Sequence, residues 1–420
     1  PAQGCPGSGC VGRRGSGCAI PRVTSIAPAV EMLRAAAAIA ALSQSLSGAA
    51  AQSSVELCGT TYAHTWRSKQ SLLQARSDMT ATTVGDEIFL LGGCEQDQLW
   101  VQKTRGGSYD CGGGNAAAVS KKATAYDPVG DAHRELPDAP RARFRHAAAE
   151  VDGNIYLFGG TGNDGAIVQE VDVFDVSNDS WSTLPDMFAQ ATTDNAAFAY
   201  GGLIYVIGGY DAQWAAKKAT WVFDPSKSGT EAWTQGKDLN QGRGDHAVVL
   251  VGESAFAFGG FHDGNNFAEP LASLERFDVG AGATAWTVQR PMSVARGDKA
   301  AAALNGALHV VGGEGKNAKE ESVPLHDVEV YSPVCDEWQV GGNIPSQRFR
   351  FTAAAHGTSL FIFGGQQYLQ GAWGTPGSKY PVVATVEEYS EEVTEAAAGL
   401  AARAAASFVG ALAVGAVIWA

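Results

Sequence analysis

Basic residues are scarce in this 420-residue chain: 30 Lys and Arg face 44 Asp and Glu, for a formal net charge of −14 and a pI near 5.0. No basic stripe is present to hold a phosphate backbone, which excludes nucleic acid as a partner class. The usual catalytic signatures are missing too. There is no Gly-rich phosphate loop, Cys-x-x-Cys pair, His-Glu-x-x-His helix or nucleophile elbow. Charged residues make up only 18% of the chain and hydrophobic residues 45%, enough for one large β domain plus tails.

Glycine, by contrast, is plentiful and periodic. Six short apolar runs end in a Gly-Gly doublet, at Gly92, Gly159, Gly208, Gly259, Gly312 and Gly364 and the glycine after each. After a first interval of 67 residues the spacings are 49, 51, 53 and 52, so one unit of about fifty residues is copied. The runs, such as Ile155 to Phe158 and Leu360 to Phe363, are too short for buried helices and lack polar alternation. They predict strands covered on both faces, and the glycines let the backbone leave the strand in conformations a Cβ would forbid. Each unit then carries an aromatic strand end (Tyr126, Phe174, Phe223, Phe277, Tyr331, Tyr389), and four have a Trp after a polar turn (Trp181, Trp233, Trp286, Trp338).

Gly-Gly, then Tyr or Phe, then Trp at these spacings resembles the kelch repeat over nearly all of residues 60–390. The resemblance implies an all-β, six-bladed propeller with four antiparallel strands, a to d, in each blade. The departures are His133 where blade 1 should have its Trp, Thr192 in place of a recurrent Arg, and Ser332 in place of an Asp. The sixth unit stops at Tyr389 without a strand d, whereas Tyr62 to Trp66 carries the missing Trp. The N-terminal segment is therefore expected to close the ring, with Trp66 packed between blades 6 and 1. His309, in place of a strand-b aromatic, is read as core.

Aligned on the first glycine of each doublet, position −16 holds Arg76, Arg143, Thr192, Arg243, Arg296 and Arg348. Position −14 holds Asp78, Arg145, Asp194, Asp245, Asp298 and Arg350, and position −13 includes His146 and His246. All open the innermost strand, on the face where the b–c loops also lie. The Arg and Asp ring and the two histidines are candidate ligand contacts, with ties between blades as the alternative. Two imidazoles two blades apart do not make a metal centre, and no cofactor is expected. The longest b–c loops, in blades 1 and 6, should form a wall presenting Trp100, Tyr109, Tyr368, Trp373 and Tyr380 as recognition anchors.

Residues 1–54 read as a leader, with a signal-peptide-like stretch from Met32 or else an organellar transit peptide or an unstructured leader. Residues 55–392 read as the propeller. Residues 393–420 form an Ala-rich tail resembling a glycolipid-anchor signal or a weak membrane span, with a disordered segment or loosely docked helix as the alternative. Of seven cysteines, three precede Met32. Cys94 and Cys111 bracket the blade 1 insertion and are expected to staple it, leaving Cys58 and Cys335 in different blades as a second potential pair. Asn178-Asp179-Ser180 is a glycosylation sequon in an expected surface turn. Together these features predict a secreted or cell-surface module that binds a protein partner through the face of the b–c and d–a loops. A carbohydrate-binding or sugar-active propeller, of the galactose oxidase or mutarotase type, is the alternative. No BTB or F-box domain is visible, and the iron-site motif of specifier proteins is absent.

Overall fold

Each fifty-residue unit folds into one antiparallel sheet, because its strand b is largely apolar and must be covered on both faces. Strands b at Glu87–Leu91, Asn154–Phe158, Ser254–Phe258, Ala307–Val311 and Ser359–Phe363 are buried over nearly their whole length. The structure, a computed structural model, describes residues 53–103, 106–185, 188, 190–262, 269–318, 322–367 and 379–393. Among these residues six blades form a ring. The innermost strands are rich in small residues, as in Ala147–Val151 and Ala300–Leu304, where six blades converge. Blade cores join laterally: Phe89 and Leu91 of blade 1 pack with Ile155, Leu157 and Phe174 of blade 2.

The ring closes as the sequence predicts. Strand Thr60–Lys69 pairs with Val386–Val393, placing Trp66 opposite Tyr389. A further strand, Ser53–Leu57, adds a fifth member to blade 6 and starts two residues ahead of the expected boundary. One expectation is corrected: Trp66 packs between blades 6 and 5, in the cluster containing Ala302 and Val330, and not between blades 6 and 1. The reason is the direction of every strand-d aromatic. Trp181, Trp286 and Trp338 each donate an indole N–H at 2.8 Å to a carbonyl just past strand d of the preceding blade (Pro137, Lys237 and Arg290). His133, which replaces Trp in blade 1, makes the equivalent contact through Nε2 to the Gln70 carbonyl at 3.1 Å and stacks 4.7 Å from Tyr126. His309 is wholly buried, with its ring nitrogen 2.8 Å from Glu391.

Two disulfides staple this frame. Cys94–Cys111 pins the blade 1 insertion, and Cys58–Cys335 ties the closing segment to blade 5 across 277 residues. Residues 1–52 and 394–420, which contain nearly all of the leader and tail, lie outside the described residues. Among the described residues no helix is long and apolar enough to cross a membrane.

Trp66→Ala should lower stability by about 3 kcal/mol, the low end for a large aromatic because Trp66 is half-buried. A chain beginning at Arg76 should lose the cooperative melt. Replacing Cys58 and Cys335 by Ser should cost up to about 5 kcal/mol, because their bond closes a loop of 277 residues. Thermal and denaturant unfolding of the three variants checks all of this, and an unchanged midpoint in each would refute closure by the N-terminal strand.

Candidate functional site: the channel mouth

The doublets owe their invariance along the chain to a repeated docking geometry. The second glycine of each donates its N–H to the carbonyl that opens the next blade, from Gly93 to Arg143 at 2.8 Å through to Gly365 to Arg76 at 2.9 Å. A Cβ on the first glycine would lie 2.1 to 2.9 Å from that same carbonyl, so only glycine fits. In the other direction, the arginine at position −16 curls back onto its own blade. Arg76, Arg243 and Arg296 donate to the carbonyls of Gly92, Gly259 and Gly312 at 2.9 to 3.0 Å. The same side chains reach strand c, with Arg243–Glu275 at 2.7 Å, Arg296–Glu329 and Arg348–Glu387 at 2.6 Å, and Arg143–Asp172 at 2.5 Å.

This geometry corrects the expectation that the −16 arginines face a ligand. Arg76, Arg143, Arg243, Arg296 and Arg348 are at most 1% exposed, and their guanidinium groups are spent inside the protein. His146 and His246 are likewise lodged in the seams between blades, each beside the first glycine of the preceding blade (Gly92 and Gly208). Burial pushes both imidazoles well below the usual His range, with the Arg143 charge adding for His146 and the Lys299 and Arg243 charges for His246. Both fill seams: His146 Nε2 lies 3.2 Å from the Thr80 hydroxyl of blade 1, the tie between blades weighed from the sequence, whereas His246 makes no such hydrogen bond.

Position −14 is different. Asp78, Arg145, Asp194, Asp245, Asp298 and Arg350 all have φ between 51° and 58°, a left-handed conformation that Asp tolerates and Arg rarely adopts. Each N–H bonds the same-position carbonyl of the preceding blade at 2.8 to 3.2 Å, and Asp78 bonds Arg350, so six backbone bonds form a closed circle. The side chains line the mouth in the order Asp, Arg, Asp, Asp, Asp, Arg. Arg145 lies 3.5 Å from Asp78 and 3.6 Å from Asp194, and Arg350 lies 3.2 Å from Asp298. Asp245 sits between two other aspartates. Burial, then the charges of Asp194 and Asp298, raise its carboxyl well above the usual range, and Tyr210 donates to it at 3.0 Å. Burial also pushes Glu314, the residue after the blade 5 doublet, up to about 7, with the Asp298 charge adding and Arg350 opposing.

Arg145 also forms part of the floor of a cavity of about 430 Å³ that opens on the face of the b–c loops of blades 1 to 3. Its lining includes Cys111, Asn115, Phe144, Thr161, Thr193 and Trp214. Trp214, at φ 61° in the Asp211 turn, has its ring 5.7 Å from Tyr210. The Cys94–Cys111 bond holds one wall. Among the described residues no cluster of His, Cys, Asp or Glu has the arrangement of a metal centre.

A family model, the KLHDC2/KLHL20/DRC7 Kelch-repeats domain, matches residues 145–365. The chain belongs to the kelch-repeat family. It is 25% identical over 287 residues to Kelch-like protein 36 of Bos taurus, covering 67% of this chain and 42% of that protein. It is 24% identical over 332 residues to Kelch-like protein terF of Aspergillus terreus, covering 74% and 64%. The kelch chain thus spans less than half the length of the first of these relatives. A solved structure titled "Structure of YjhT" superposes with a TM-score of 0.59 at 17% identity, covering 76% of this chain and 95% of that one, a likeness of fold alone.

Of the loop aromatics expected on this kelch face, Tyr368 and Trp373 lie outside the described residues, and of Trp100 and Tyr109 only the backbone is described. Tyr380 is buried, edge-on to Phe349, and is no exposed anchor. The wall itself exists: strand Gln98–Lys103 of the blade 1 loop pairs with Lys379–Tyr380 of the blade 6 loop. Trp214, Thr161 and Thr193 were not singled out from the sequence. A Trp in the short Asp211 to Ala215 turn was the available signal.

Because Glu314 keeps its proton in the folded state to about pH 7, against 4.5 when unfolded, the folded protein binds more protons across that interval. Its contribution is fully present below pH 4.5 and is lost as the pH rises through about 7. Glu314→Gln should flatten the fall of melting temperature over this window, as thermal melts at a series of pH values would record. Arg243→Ala, which strands buried Glu275, should destabilise the propeller by about 3 to 5 kcal/mol.

Proposed function

We propose that this kelch propeller is a recognition module that docks a protein partner on the face carrying the b–c and d–a loops, with the cavity above Arg145 as its anchor pocket. The observation that carries the reading is the composition of that cavity. An arginine held on a strained backbone, a half-buried Trp214 and the hydroxyls of Thr161 and Thr193 converge on one concavity of about 430 Å³. Anchor pockets of this size with an aromatic wall and a few fixed polar groups are typical of recognition sites. Strain at a non-glycine residue persists where the surrounding structure over-determines it, and it concentrates at binding sites. Many of the similar proteins carry the name Kelch-like, which agrees with a binding role.

We place the module in the secretory pathway, outside the cell or at its surface, with the C-terminal tail as the means of membrane attachment. Both disulfides support this address, since such bonds persist in oxidising compartments. Exposed Asn178, on the c–d turn of blade 2, is open to glycosylation there.

A photo-crosslinking residue at position 214 should capture a discrete protein from the secretory or extracellular fraction, and the same residue at position 179, on the opposite face, should not. Arg145→Ala and Trp214→Ala should each weaken binding of that protein by about tenfold. Capture from position 179 with normal binding by both variants would reverse the face assignment.

A further inference from the structure

One blade breaks the repeat in two places at once. Blade 3 has Thr192 where the other five have a buried arginine. Its strand c has Trp221 at the register, opposite the residue two before the doublet, where blades 2, 4, 5 and 6 have Asp172, Glu275, Glu329 and Glu387. Both halves of the ion pair are gone. Thr192 Oγ1 still donates to the Gly208 carbonyl at 2.8 Å, so the doublet stays satisfied. The missing guanidinium and carboxylate leave a groove of about 440 Å³ between blades 2 and 3. It has Thr192 and Phe188 at its base, Trp221 along one side, and the exposed amides of Gln169, Gln190 and Gln213 at its rim. The Asp211 turn separates it from the pocket above Arg145, since Asp211 and Ala212 line both.

We propose that this groove is a second binding site and that it takes a neutral, hydroxylated ring, a hexopyranose unit. The chemistry of the lining selects that class. Amides both donate and accept, as a polyol requires. The half-buried indole offers an apolar surface to a sugar's C–H face. The cation of the groove, Lys217, is ion-paired with Asp211 and so is already neutralised, which disfavours an anionic ligand. A volume of about 440 Å³ lies within the range of small-molecule sites. The site is independent of the anchor pocket proposed above.

The test uses the folded propeller with glucose, galactose, mannose and N-acetylglucosamine, and with glucuronate as the charged counterpart, read by saturation-transfer NMR and tryptophan fluorescence. At least one neutral sugar should bind and glucuronate should bind more weakly. Trp221→Ala should lower affinity by about tenfold. The double change Thr192→Arg with Trp221→Glu rebuilds the tie of blades 2, 4, 5 and 6 and should abolish binding while the melting temperature holds or rises. Should that variant not fold, Gln190→Ala with Gln213→Ala, both at the exposed rim, must also weaken binding. Asp179→Ala, on the opposite face, should leave it unchanged. Absence of binding by all four neutral sugars, stronger binding of glucuronate, or undiminished binding in the folded groove variants would overturn the proposal.

Discussion

Each blade hands one backbone N–H to the carbonyl of the blade before it, at Asp78, Arg145, Asp194, Asp245, Asp298 and Arg350, and the sixth bond returns to the first. A circle of this kind admits no free end. Each member must turn its backbone into the left-handed region for donor and acceptor to point along the circle, and all six do. The cost is small for Asp and larger for Arg. The conformation also directs every position −14 side chain to the mouth, so the ring that fastens the blades also sets the electrostatics there.

Around this circle the other ties fall into layers. The doublet bond fastens the top of each seam, and position −13 residues such as His146, Asn195 and Lys299 fill the space beside the preceding doublet's first glycine. Strand-d aromatics fasten the outside by reaching back one blade. The buried arginines join strands a, b and c within a blade. A buried ion pair is weak evidence of net stability, yet removing one partner is costly because the other charge is stranded. Blade 3 has neither partner, so no charge is stranded there, and a groove stands in the place of the tie.

Charge order around the mouth divides it into unequal halves. Arg145 and Arg350 each separate aspartates and lie beside them, whereas Asp194, Asp245 and Asp298 adjoin one another without an arginine between them. Burial and mutual repulsion raise Asp245 and, beside them, Glu314. Lys299 beneath, whose Nζ donates to the Asp245 carbonyl, is pushed well below the usual Lys range by burial and by Arg243. One side of the mouth is therefore arginine-centred and open to the cavity above Arg145, and the other crowds carboxyl groups together with no arginine between them.

The sequence by itself determined the fold, because the devices that build a propeller repeat at constant spacing: the doublet, the aromatic pair and the closing Trp66 each occur at a countable place. It also placed the mouth, since position −14 could be read without a gap. It could not tell which of two adjacent rings turned into the sheet and which lined the mouth. Arg243 and Asp245 are two residues apart on one strand opening, and only the twist of the backbone at φ 51° sends one into the sheet and the other to the mouth. His146, Tyr380 and the seam of Trp66 were likewise decided by the direction of a side chain, which periodicity does not carry. The cavity above Arg145 and the groove beside Trp221 arise where loops from different blades meet, at distances in the chain that no local pattern spans. Those contacts exist only once the circle has closed, so tertiary structure alone decided them.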